Sequence, residues 1–179
     1  MEYQLKTIAK SGIEAALSKA QLYRYLNEPE ESESICQDIL AADPENQAAL
    51  RLLGLAITDQ FRGSMSDRYP EAESAFQRLS DPYRREYYLG ILSERRAKAQ
   101  ARAGRPSPVW VPLLEDAMKH FEAAEKLKPT DNEEAVLRWN RCVRLLRTVP
   151  ATEREEAVGL GDEDTGPLQL ARRSPKAGR

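Results

Sequence analysis

The chain has 179 residues, of which 41% are hydrophobic and 31% charged, a composition typical of one globular domain with a well-hydrated surface. Its 27 basic and 29 acidic side chains leave a net charge of −2, so bulk charge gives no strong attraction to nucleic acid or to an anionic membrane. Two cysteines are too few for a disulfide framework, and no apolar run approaches the roughly 20 residues that span a bilayer or resembles a secretory signal, which together predict a cytoplasmic protein.

Glycine and proline divide residues 1–149 into predicted helices. The first helix is predicted to start at Ser11, because Ser11-Gly12-Ile13-Glu14 has the pattern of a capping box. The second is expected from Pro29, since proline is tolerated in the first turn of a helix but not in its interior. The third has a continuous apolar face at helical spacing, formed by Leu50, Leu53, Gly54 and Ile57.

Four more helices are predicted after a loop at residues 61–69, which contains Gly63 and two serines. A second capping box, Thr130-Asp131-Asn132-Glu133, is expected to open the last of them. The four predicted helices run approximately over residues 72–79, 83–102, 112–127 and 133–146.

Residues 150–179 have a different composition. They contain no aromatic residue, and three prolines and four glycines are scattered among many charges. Such a segment cannot bury enough apolar surface to offset the entropy of ordering it. The sequence therefore predicts a helical domain over residues 1–149 and a disordered C-terminal tail over residues 150–179.

Small and large residues recur at fixed spacing in three pairs of predicted helices. The first helix of a pair has a small residue inside its apolar pattern, as in Leu50-x2-Leu53-Gly54-x2-Ile57, with weaker copies around Ala20 and Gly90. The second helix has a small residue, a larger one four positions later and then a proline. Its three instances are Ser32-x3-Cys36, Ala72-x3-Phe76 and Ala117-x3-Phe121. This pattern resembles the tetratricopeptide repeat over about residues 13–146.

The resemblance implies an all-α fold, an α-solenoid of about three tetratricopeptide-like helix pairs closed by a C-terminal capping helix. Ala20 and Gly54 are 34 residues apart, which is the length of one repeat, whereas 36 residues separate Gly54 from Gly90 and 49 separate Gly90 from Trp139. We expect the extra length in the loop at residues 61–69 and in an insertion at residues 96–112.

In that family the first helix of each pair lines a concave groove that receives peptides or helices. The residues that the resemblance places in such a groove are Gln21, Arg24, Tyr25, Arg51, Leu55, Thr58, Arg84, Tyr87, Ile91, Arg95, Asn140 and Arg144. Arginine and tyrosine dominate binding hot spots, and guanidinium groups bind carboxylates in bidentate fashion, so an acidic partner segment is predicted. The alternative is that these arginines lie on solvated helix faces beside Glu86 and Glu94.

The function predicted from these features is a non-catalytic adaptor or assembly scaffold that binds another protein or peptide. A self-associating subunit is the first alternative, and an RNA-binding repeat protein, using the basic stretch over residues 84–105, is a less favoured one. We expect no enzyme, cofactor or metal site, because no set of acid, base and nucleophile can be assembled and His120 is the sole histidine. Cys36 and Cys142 are predicted to be buried packing residues.

Overall fold

The computed structural model describes residues 3–64, 67–151 and 153, and within them the protein is helical throughout, without a strand. This confirms the predicted all-α class. A short 3-10 turn, Lys10–Gly12, precedes the α-helices. They are α1 (Ile13–Tyr25), α2 (Pro29–Ala42), α3 (Gln47–Asp59), α4 (Tyr69–Gln77), α5 (Pro82–Arg102), α6 (Ser107–Leu127) and α7 (Glu134–Leu146). The predicted disordered tail lies outside the described residues, apart from Pro150, Ala151 and Glu153.

Side-chain caps and prolines define several helix starts. The side chain of Asn46 accepts a hydrogen bond from the Ala49 amide at 3.0 Å and so caps α3. Asp81 caps α5 in the same way, accepting from the Arg84 amide at 3.2 Å. Helices α2, α4, α5 and α6 each have a proline in their first two positions, where its missing N–H removes no intrahelical bond.

The two capping boxes predicted from the sequence do not form. Ser11 lies inside the 3-10 turn, and Gly12 precedes α1 without a side-chain cap. Near α7, Asp131 adopts a left-handed backbone conformation with φ of 64°. Asn132 takes over the capping role there, since its side chain accepts from the Glu134 amide at 2.9 Å.

Helix α5 ends at Arg102 as predicted, but α6 begins at Ser107 instead of at Pro112, so the extra length expected at residues 96–112 is mostly helical. Both helices have 21 residues, so the extra chain length extends a helix pair and leaves only residues 103–106 as a connection. Pro108 occupies the first turn of α6, and the helix continues through Pro112 in its interior.

Contacts of one kind join α3 to α4 and α5 to α6. A Cβ atom at Gly54 would lie 2.4 Å from Cε1 of Phe76, so the α4 ring packs directly on the α3 backbone. Phe121 of α6 packs on Gly90 of α5 in the same manner, with a distance of 2.6 Å between Cε1 and the added Cβ. In the first pair, Ala20 and Cys36 are both fully buried in one cluster. Gly54 and Gly90 therefore lie where an aromatic ring of the next helix approaches the helix backbone closely.

Successive helices pack on each other along the chain, and α3 also contacts both α1 and α5. The longest interface joins α5 to α6, which are also the longest helices. The main core, shared by α3 to α7, includes Leu50, Phe76, Leu92, Leu114 and Phe121. None of the helices in the described ranges is both long enough and apolar enough to cross a membrane.

Candidate functional site

A cleft of about 300 Å³ opens between the C-terminal end of α3, the second half of α5 and the first turns of α7. Its lining is Thr58, Asp59, Phe61, Arg62, Arg95, Lys98, Ala99, Arg102 and Arg138. We call these residues the basic cleft, because five of them are cationic and only Asp59 is anionic. The cleft is therefore a positively charged region on a chain whose net charge is −2.

Asp59 stands at the centre of the charge network in the basic cleft. Its Oδ2 accepts from Nε of Arg24 at 2.7 Å, and its Oδ1 accepts from Nη1 of Arg95. The same Arg95 nitrogen donates to Oγ1 of Thr58 at 2.6 Å and to the Leu55 carbonyl at 3.2 Å. One carboxylate on α3 thus connects α1 to α5.

Burial lowers the pKa of Arg95, and the adjacent Asp59 carboxylate opposes that shift. A guanidinium held in this way remains charged at neutral pH, since the ordinary pKa of arginine is above about 12. Arg95 therefore contributes permanent positive charge to the cleft wall and is fixed in orientation by three acceptors.

A second carboxylate lies beneath the cleft. Glu94 is 0% exposed, and its two oxygens accept from Nζ of Lys98 and, at 3.4 Å, from Nη1 of Arg138. The alternative interpretation of the sequence placed Glu94 on a solvated helix face, whereas the structure buries it. Burial raises the pKa of Tyr87, and the hydrogen bond with Arg138 opposes the rise. Glu94 and Tyr87 together hold α7 against α5.

The two remaining cations, Arg62 and Arg102, are exposed at the rim of the cleft. The guanidinium of Arg62 makes one long contact, 3.5 Å, to the Asp59 carbonyl. Arg102 has neither an ion pair nor a hydrogen-bonded side chain within residues 3–64, 67–151 and 153. These two charges are not neutralised by any described carboxylate and are available to an anionic ligand.

The predicted groove residues divide into several groups. Thr58 and Arg95 line the basic cleft, and Arg24 reaches it through Asp59. A second cleft of about 340 Å³, near the N-terminal ends of α3 and α5, holds three others. Its lining is Arg51, Asp81, Tyr83, Arg84, Tyr87, Tyr88, Pro129, Asn132 and Glu134.

The other predicted residues lie elsewhere. Ile91 is 2% exposed and Leu55 is also buried, so both belong to the core and neither can serve as a surface anchor. Gln21 and Tyr25 are exposed on α1, where the amide of Gln21 donates to the Tyr25 hydroxyl at 2.8 Å. Two further residues, Asn140 and Arg144, are on α7 and line neither cleft.

Arg62, Lys98, Arg102 and Arg138 were not among the predicted groove residues. Two of them could have been predicted from the sequence. Lys98 and Arg102 continue the helical stripe of Ile91 and Arg95 at spacings of three and four. Asp59 and Arg138 gave no such signal. Their roles depend on partners in other helices, which local spacing does not reveal.

The other candidate groups have structural partners. Burial raises the pKa of both thiols, Cys36 and Cys142, to about 12, which suppresses the reactive thiolate. Nδ1 of His120 lies 2.8 Å from Oε2 of Glu86, between α6 and α5. Over the described ranges, no three side chains of His, Cys, Asp or Glu come together as metal ligands.

Comparison of the chain with protein-family models, with curated proteins and with solved structures finds no match. The geometry and charge of the clefts are therefore the basis for proposing a function.

Proposed function

We propose that this protein is a non-catalytic interaction scaffold, built as a tetratricopeptide-like α-solenoid, which binds an acidic segment of a partner protein in the basic cleft. The repeated contact of a small residue with a larger one, at Gly54–Phe76 and Gly90–Phe121, supports a repeat architecture. The packing of α3 on both α1 and α5 supports a common face formed by odd-numbered helices.

The observation that carries the binding proposal is the charge excess of the basic cleft. Asp59 and Glu94 fix Arg95, Lys98 and Arg138, while Arg62 and Arg102 remain without a carboxylate in the described ranges. Guanidinium groups without a carboxylate partner of their own are suited to bind the carboxylates of another segment in bidentate fashion. A partner segment rich in Asp and Glu fits this surface.

Charge reversal at the rim tests the proposal. The double variant Arg62→Glu/Arg102→Glu should lose partner capture by at least about tenfold, since both side chains change from attraction to repulsion. Quantitative affinity capture followed by mass spectrometry measures the effect, and circular dichroism checks that the fold is retained.

The matched control is Lys119→Glu/Arg147→Glu, which makes the same change in net charge at two exposed positions outside both clefts. It should retain the same partners at wild-type levels. A third variant, Arg51→Glu/Arg84→Glu, tests by the same capture measurement whether the second cleft takes part in binding. If the rim variant is folded and captures the same partners as strongly as wild type does, the basic cleft is not the binding site.

A self-associating subunit is the second candidate, and exposed apolar side chains at the two ends of the helix series favour it. Leu22 and Tyr25 of α1 and Leu26 just after it are exposed, and Tyr25 is 74% exposed. On α7, Leu137 is 65% exposed and Trp139 is also on the surface. Light scattering across a concentration series distinguishes the candidates, because only self-association increases the mass with concentration.

A further inference from the structure

We infer that the basic cleft has an occupant within its own chain: the acidic segment at residues 155–164, which competes with partner proteins for the site. This inference rests on the proposed function for its biological consequence. The docking of the segment itself can be tested without any partner.

Charge complementarity is the first argument. Residues 155–164 contain five acidic side chains and no basic one. The acids are Glu155, Glu156, Asp162, Glu163 and Asp164. The basic cleft has five cations, of which Arg62 and Arg102 have no carboxylate partner in the described ranges. The segment thus carries five negative charges, and the cleft lining carries five positive charges and the one negative charge of Asp59.

The position of the last described residues is the second argument. Val149 is buried against Val111 at the start of α6, and Oε2 of Glu153 accepts from Oγ of Ser107 at 2.6 Å. Ser107 is separated from Arg102, the last residue of α5, only by residues 103–106. The chain therefore leaves the described part of the molecule at the same end of α5 as the rim of the basic cleft.

The length of the remaining chain is the third argument. An extended chain spans at most about 3.3–3.6 Å per residue, so the nine residues from Glu153 to Asp162 reach about 30 Å. The α5 part of the cleft lining extends from Arg95 to Arg102. Because a helix rises only about 1.5 Å per residue, that part of α5 is shorter than the reach of the nine residues. The acidic residues can therefore lie along the cleft while Glu153 stays at Ser107.

Tethering strengthens such a contact. A short linker gives a segment an effective concentration in the millimolar range at a nearby site, so even weak intrinsic affinity produces substantial occupancy. Because the contact is electrostatic and partly exposed, salt should weaken it. A partner must then displace the segment, which lowers the apparent affinity for that partner.

The experiment measures binding of a labelled synthetic peptide of residues 154–166 to the full chain by fluorescence anisotropy. In the neutralised variant, Glu155→Gln/Glu156→Gln/Asp162→Asn/Glu163→Gln/Asp164→Asn, the internal competitor is removed and the cleft is unchanged. We expect this variant to bind the peptide about tenfold more tightly than wild type, with a difference that shrinks as salt is raised.

Two controls complete the design. Arg172→Gln/Arg173→Gln alters charges of the same C-terminal region outside the acidic segment and should bind the peptide as wild type does. Adding Arg62→Glu/Arg102→Glu to the neutralised variant should abolish the gain in affinity. A dilution series identifies an intermolecular contact, since occupancy by the segment of a second copy decreases on dilution and intramolecular occupancy does not.

Equal peptide affinity for wild type and the neutralised variant overturns the inference, as does the absence of peptide binding to either, or a difference that disappears on dilution. In each of these cases the proposed function is judged separately, from partner capture by the rim variant. Loss of capture there, together with equal peptide affinity, means that the cleft binds a partner and that the acidic segment does not compete.

Discussion

The first helix pair differs from the two following pairs in the size of the residues at corresponding positions. In α1–α2, Ala20 and Cys36 belong to one buried cluster, whereas in α3–α4 and α5–α6 a glycine meets a phenylalanine ring. A larger side chain on the even-numbered helix is thus matched by the absence of a side chain on the odd-numbered one. The comparison teaches that a bulky ring on the even-numbered helix is accommodated by a glycine on the odd-numbered one, whereas the smaller cysteine shares its cluster with an alanine.

The two arrangements differ in how much apolar surface they bury. The cluster around Ala20 and Cys36 has three buried members, the third being Leu52, while the phenylalanine rings belong to the main core. Burial of an aromatic ring contributes more free energy than burial of a thiol. We therefore expect α1–α2 to be the less stable part of the described fold, secured in addition by the Arg24–Asp59 ion pair.

The largest expected effect comes from removing a ring. Phe121→Ala should destabilise the protein by about 3–5 kcal/mol, because it deletes a fully buried aromatic side chain and leaves a cavity against Gly90. Cys36→Ala, at the corresponding place in the first pair, should cost about 1 kcal/mol. Urea unfolding followed by circular dichroism measures both. Equal losses would mean that the positions of Phe121 and Cys36 contribute equally to stability.

Filling the space at a glycine should have an intermediate effect. Gly54→Ala places a Cβ against the buried Phe76 ring, and overpacking of this kind costs about 1–3 kcal/mol although alanine is the better helix former. Gly12→Ala is the matched control, since a Cβ there has no atom within 4 Å. The control should be neutral or slightly stabilising. A melting temperature of Gly54→Ala at or above that of wild type would show that the ring adjusts freely.

The smallest effect at neutral pH concerns the two thiols. Burial raises the pKa of Cys36 and Cys142 from 9.0 to about 12, so the folded state keeps its protons where the unfolded state loses them. The contribution of this shift to stability is complete below pH 9 and is lost as pH rises toward 12. Alkylation by iodoacetamide at pH 8 should therefore be slow in native protein and fast in urea.

The pH dependence of the free energy of unfolding can be measured separately. Urea unfolding at pH 7 and at pH 10 should give a lower free energy of unfolding at pH 10, and Cys36→Ala/Cys142→Ala should reduce that difference. Rapid alkylation of both thiols in the native state would contradict the burial of Cys36 and Cys142.

Local pattern was sufficient to predict the helices. Glycine and proline positions, together with apolar spacing, identified all seven α-helices that are bounded in the described chain. The small residue of the repeat pattern at Gly54 lies where the Phe76 ring packs on the helix backbone. The predicted start of α6 was wrong because proline has two opposite effects on a helix. It breaks a helix in the interior, but it is favoured in the first turn. At Pro108 the second meaning applies, which moved the helix start away from Pro112.

The candidate site was less accessible to prediction. Arginines on odd-numbered helices were identified, but whether a cation is free or neutralised depends on carboxylates far away in sequence. Arg24 and Asp59 are 35 residues apart, and Arg138 and Glu94 are 44 apart. Helical periodicity extends over a few turns and cannot pair such residues. Ile91 illustrates the same limit, since its position on the Arg95 stripe did not reveal that it lies in the main core.

The order of packing along the chain has a consequence for how the protein is made. Since each helix packs mainly on the next, most contacts close short loops, and closing a short loop costs little entropy. Proteins with such local contacts fold fast, and their early segments can acquire structure before later ones exist. During synthesis, α1 and α2 can thus meet while α5 is still being translated. Asp59 can then form its ion pair with Arg24 first. Its ion pair with Arg95 must wait until the ribosome has added some 36 further residues.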